Sequence, residues 1–92
     1  MTAEIQVSKS GGHYDVTVRE RDSATQHRVI LPEELYQKLT RGAVPREECV
    51  KAAFRFLLER EPKESILSEF SVPVISRYFP EFEREFSQYL ET

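Results

Sequence analysis

VILPEELYQKLTRGAVPREECVKAAFRFLLERE, residues 29–61, decides the architecture. It reads as the end of a strand, a short helix, and a longer helix with an unusually wide apolar face. Pro32 suits the first turn of a helix, where its missing amide proton costs nothing, and Glu33 and Glu34 favour that positive dipole end. Lys38 and Arg41 favour the other end and Gly42 can close it, so the first helix runs near 32–41 with Leu35, Tyr36 and Leu39 as a narrow contact. The second helix begins near Pro45 and stops before Pro62. Glu47, Lys51, Arg55 and Glu59 recur four apart on its wet side, where Glu47 suits Lys51 and Arg55 suits Glu59. On a helical wheel Phe56, Cys49, Ala53, Leu57, Val50, Phe54 and Leu58 fill an arc of roughly 200°, whereas packing against one layer needs little more than about 100°. This helix must touch two layers.

Upstream, Glu4–Lys9 and Tyr14–Arg19 alternate apolar and polar residues on either side of Ser10-Gly11-Gly12, the pattern of a β-hairpin. Opposed residues share a face, so Val7 should meet Tyr14 across a two-residue turn or Val16 across a four-residue loop. Arg21-Asp22-Ser23-Ala24 reads as a second turn. A tight turn centred on Asp22-Ser23 pairs a third strand, Thr25–Leu31, so that Val16 meets Val29 and Tyr14 meets Leu31. Val29, Ile30 and Leu31 form a continuous apolar run, which calls for cover on both faces or pairing with another chain.

Downstream of Pro62, Glu64–Phe70 has the spacing of a short helix burying Ile66, Leu67 and Phe70, and Pro73 opens a stretch with Ile75, Tyr78 and Phe79. Phe79 precedes a proline and should mark a break, and Pro80 begins a last helix with Phe79, Phe82, Phe86, Tyr89 and Leu90 on one stripe. Eight of the ten aromatic residues lie from Phe54 onward, so this end belongs to a core or an interface. The fold class that follows is α+β. A three-stranded antiparallel meander (1–31) leads to a helix pair (32–61) and C-terminal helices (62–92) in one domain, with an expected radius of gyration of about 12 Å.

The net charge of −3 is uneven: residues 1–60 carry 10 basic and 9 acidic groups, residues 61–92 carry 3 and 7. No Lys/Arg run offers the localised basic patch that an acidic chain needs to hold phosphates. The single cysteine, Cys49, sits among apolar helix residues, where cysteine packs as a small hydrophobe, and a reducing compartment follows. With no signal-peptide core and no run near the roughly 18 apolar residues of a membrane span, the chain reads as soluble and cytoplasmic.

Catalytic chemistry finds no purchase. His13 and His27 fall roughly 15 Å apart along the expected strands, too far to share an ion with Asp15, and read as partly exposed strand histidines. Cys49 has no histidine on a neighbouring helix, no G-x-S-x-G elbow accompanies the serines, and Gly11-Gly12 is a turn and not a phosphate cradle. We therefore expect no enzyme, no cofactor and no metal. Arg77 and Tyr78, beside Phe79 and Pro80, are of the residue types that dominate protein interfaces. With the apolar third strand and the broad helix face, they make Val29, Ile30, Leu31, Phe56, Leu58, Arg77 and Tyr78 the candidate protein interface. The expectation is a regulatory or interaction protein that binds a protein partner, as a homodimer.

HRVILPEELYQKLTRGAVPREECVKAAFRFLLERE, residues 27–61, resembles the ribbon-helix-helix DNA-binding proteins, many of them antitoxins or repressors. The resemblance implies two chains pairing their third strands into a ribbon that enters the major groove, with the longer helix in the dimer core and its N-terminus near phosphate. Gln26 and Arg28, with Ile30, would then be the outward side chains that contact DNA. Glu47 and Glu48 stand at the helix end that would meet phosphate and repel it, which ranks a protein partner ahead of nucleic acid. Ser65–Tyr78 carries a fainter likeness to helix-turn-helix.

Overall fold

The structure, a computed structural model, describes residues 3–90. Strands β1 (Glu4–Ser10), β2 (His13–Glu20) and β3 (Ser23–Ile30) form an antiparallel meander. Helices α1 (Glu33–Thr40) and α2 (Arg46–Leu58) then carry the chain to a fourth strand, β4 (Glu69–Ser71), which lies parallel to β3. A parallel neighbour requires a long crossover, and the helix pair supplies it. Two short helices, α3 (Pro73–Tyr78) and α4 (Phe82–Glu85), and a 3-10 helix at Phe86–Tyr89 complete the described chain. The fold is α+β, and its radius of gyration is 12.2 Å.

The first hairpin takes one of the two expected registers, Val7 opposite Val16, but through a two-residue Gly11-Gly12 turn and not a four-residue loop. Gly11 has φ +62°, a conformation that glycine adopts without steric cost. The β2–β3 register is a correction. The turn is Arg21-Asp22, one residue earlier than expected, so Val16 faces His27 and Tyr14 faces Val29. This slips β3 by two residues against β2, which preserves every side chain's face because strand side chains repeat every two.

The second correction is β4. The stretch read as a helix over Glu64–Phe70 is a 3-10 turn at Lys63–Ser65 followed by an extended segment that pairs Arg28 with Glu69, Val29 with Phe70 and Ile30 with Ser71. Helical spacing of Ile66, Leu67 and Phe70 misled because so short a strand carries too few residues to show its own period. Pairing with β3 is what holds it extended. The partner of the apolar run 29–31 is thus a segment of the same chain.

Helix α2 is the hub, as its broad face requires. Cys49, Val50, Ala52, Ala53, Phe54, Phe56 and Leu57 are all buried. Phe54 points to the sheet side, 5.2 Å from the His27 ring and 5.9 Å from Phe70. Phe56 points the opposite way, edge-on to Phe79, Phe82 and Tyr89 at 5.9, 4.9 and 5.5 Å. The second layer is the chain's own C-terminus. Helix α1 closes through Arg41, in the left-handed region at φ 55° with its N–H donating to Gln37, and Gly42 follows at φ +75°. Phe79 breaks the chain between α3 and α4 as its position before proline requires.

Candidate functional site

Beyond the C-terminal end of α2 the layers part and leave an apolar groove of about 230 Å³. Its floor and walls are Leu57 from α2, Ile66 and Leu67 from the segment before β4, Phe70 from β4, and Val74 and Tyr78 from α3. Three large hydrophobic side chains stand exposed among the described residues. Two of them, Leu67 at 49% and Tyr78 at 69%, belong to this groove, while Ile30 at 50% lies on the outer face of the sheet. Scattered apolar residues are normal on a surface; these two flank one concavity. Glu61 also lines the groove, and its carboxylate has no hydrogen-bond or ion-pair partner among the described residues.

Part-buried polar contacts tie together the segments around the groove. His27, 5% exposed, bonds through Nδ1 to the Leu67 carbonyl at 2.8 Å and through Nε2 to the Thr25 hydroxyl at 2.8 Å. A carbonyl only accepts, so Nδ1 donates, and in the neutral ring Nε2 accepts from Thr25. His27 is therefore not the partly exposed strand histidine expected from sequence: it points inward with Val16, and it pins Leu67 in place. His13 lies on the other face of the sheet, 3.3 Å from Asp15. No group of three or more His, Cys, Asp or Glu side chains that could hold a metal ion occurs among the described residues.

Just past the end of α2, Arg60 ties the C-terminal segment to the hub helix. Its guanidinium lies 3.6 Å over the Phe56 ring, donates to Glu81 at 3.1 Å and Glu85 at 2.9 Å, and reaches the Tyr89 hydroxyl at 3.3 Å. The Tyr89 bond, and then Glu81, raise its already high proton affinity further, against the burial that lowers it. Lys63, nearly buried at 4% exposure, bridges Glu64 at 2.7 Å and Glu20 at 3.3 Å. It ties the 3-10 turn beneath the groove to the end of β2.

The residues singled out in the sequence scatter. Tyr78 stands in the groove, and Arg77 is exposed beside it on α3. Phe56 and Val29 are fully buried, Leu31 nearly so, and Leu58 is half-buried against the core. These four pack within the chain. Gln26, Arg28 and Ile30 do share the exposed outer face of the sheet, as strand alternation demands. Arg28, however, lies opposite Asp15 on one side and Glu69 on the other, with Glu69 3.5 Å from its guanidinium. Pairing β3 with a second chain would have to displace β4. Arg55, expected to pair with Glu59, instead meets Glu48 at 2.8 Å and the Tyr89 carbonyl at 2.6 Å.

Sequence reasoning missed Leu67, Glu61 and His27 as parts of one site. Leu67 looked like core at helical spacing, and only the strand that follows it turns its side chain outward. Cys49 is 1% exposed, and burial pushes its thiol up to about 12, which removes it from nucleophilic chemistry. No helix among the described residues is long and apolar enough to cross a membrane. In comparison with known proteins, the chain matches no family model, no curated protein and no solved structure.

Proposed function

We propose that this chain is a non-enzymatic interaction module that binds a partner protein through the groove between α2, β4 and α3. The observation that carries the reading is the placement of Leu67, half exposed, and Tyr78, largely exposed, around an apolar concavity. Exposed apolar side chains flanking a preformed pocket supply the anchors that protein interfaces use, with little ordering cost on this side. The acidic Glu61 within it favours a partner segment carrying a basic residue beside an apolar one.

The expected homodimer rested on the excess apolar face of α2 and on the apolar third strand; Phe79, Phe82 and Tyr89 of the same chain lie against the first, and β4 pairs with the second. The reading therefore assigns the groove to a different protein. Selection of random twelve-residue peptides displayed on phage tests it. Peptides should be retained by the wild-type chain and by Arg28→Ala, and lost by Leu67→Glu with its urea midpoint unchanged. Peptides that bind Leu67→Glu as well as wild type, or no peptides at all, would overturn the assignment.

A further inference from the structure

Resting on the groove reading, we infer that the partner segment binds as an added β-strand along the free edge of β4, with apolar side chains turned into the groove and a lysine or arginine beside Glu61. β4 is the last strand of the sheet. The Arg28 N–H donates to the Ser68 carbonyl at 2.7 Å and the Val72 N–H to the Ile30 carbonyl at 2.9 Å. Backbone groups of successive strand residues address opposite edges, so Ser68, Phe70 and Val72 face β3. The N–H and C=O groups of Glu69 and Ser71 accordingly face away from the sheet, where no further strand among the described residues meets them.

The same strand supplies the groove wall. Phe70 pairs with Val29 on the inner face of the sheet and lines the groove. A strand laid beside β4 places every second side chain next to Phe70, over Leu67 and Tyr78, and leaves the alternate ones on the wet face beside Glu69. Main-chain bonds would give affinity without sequence, and the groove and Glu61 would give selectivity: an apolar residue with a cation two positions away on the same face of the strand. An apolar helix docked in the groove would leave the outward amides of Glu69 and Ser71 unused. A small apolar molecule would leave Glu61 unanswered.

The probe is the tightest peptide from the phage selection, measured by fluorescence anisotropy together with single N-methylated versions at each position. Methylation of at least one amide should weaken binding roughly tenfold, what a lost backbone hydrogen bond costs, and methylation of its neighbours should matter less. Ser71→Pro, which removes an outward donor and the long 3.5 Å contact of the Ser71 hydroxyl to the Ile30 carbonyl while leaving the backbone bonds to β3 intact, should weaken binding to a similar degree. Glu61→Gln should remove any preference for a lysine over a glutamate in the peptide. Uniform tolerance of N-methylation and of Ser71→Pro, with Leu67→Glu still destroying binding, overturns strand addition and leaves the groove reading standing. A chain that dimerises through this edge, with dimerisation lost in Ser71→Pro, makes the occupant a second copy and overturns the inference. Failure to select any peptide ends both readings.

Discussion

At the residue scale, environment sets what each ionisable or reactive group can do. Glu81 accepts from its own backbone N–H and from Arg60, and Glu64 accepts from Lys63 and its own backbone, so both carboxyls titrate below their ordinary 4.5. A carboxyl whose folded value lies below its unfolded one contributes stability that is complete above about 4.5 and disappears as pH falls through the folded value. The urea midpoint should therefore hold steady from pH 6 to 5 and fall below 4.5, and Glu81→Gln should flatten that fall. Both carboxyls are surface groups in water, so each effect is small. Cys49 makes the opposite point. With its thiol raised to about 12 by burial, labelling by a maleimide at pH 8 should be negligible in the folded protein and prompt after unfolding in guanidinium. Brisk native labelling would place Cys49 elsewhere than the packed face of α2. Both features could be anticipated only in part: the sequence identifies Cys49 as a packing residue, but not that Glu81 meets an arginine 21 positions away.

At the element scale, β4 is the least self-sufficient piece of the fold. Three residues cannot persist as a strand alone, so the segment depends on what grips it from the sheet. The backbone ladder to β3 holds it, with bonds from the Arg28 N–H to Ser68 and from the Val72 N–H to Ile30, and His27 adds a side-chain grip on the Leu67 carbonyl just before it. In His27→Leu the carbonyl of Leu67 loses its donor at a part-buried position, which costs about 1 kcal/mol. The Arg28 and Val72 amides should then exchange with deuterium markedly faster than in wild type, while amides at the β1–β2 hairpin keep their protection. Uniform loss across the sheet would mean His27 is a general core residue and not a grip on β4. The meander itself was legible from alternation and turn chemistry alone. β4 was not, because its extended form comes from partners 40 residues away, and its own spacing favours helix.

At the scale of the whole molecule, the question raised by α2 is which surface covers its second side. The aromatic cluster of Phe56, Phe79, Phe82 and Tyr89 answers it within one chain, and Arg60 fastens that cover by bonds to Glu81, Glu85 and Tyr89. Light scattering should return a mass near 10.8 kDa across the micromolar range. A stable mass of twice that value, retained in Leu67→Glu, would show a second chain bound somewhere other than the groove. Among the described residues, the apolar concavity with a strand edge beside it is then a feature that this self-covered core leaves open.

What the amino-acid order determined by itself was local and periodic. It comprised the three-stranded meander, the two helices between Pro32 and Pro62, and a hub helix too apolar for a single neighbour, all of which follow from spacings of two and 3.6 residues. Which neighbour covered that helix, the two-residue slip of β3, the existence of β4 and the meeting of Leu67, Tyr78 and Glu61 were decided only in three dimensions. Each depends on contacts between residues far apart in the chain, where periodicity carries no information and the packing of the whole core selects one arrangement.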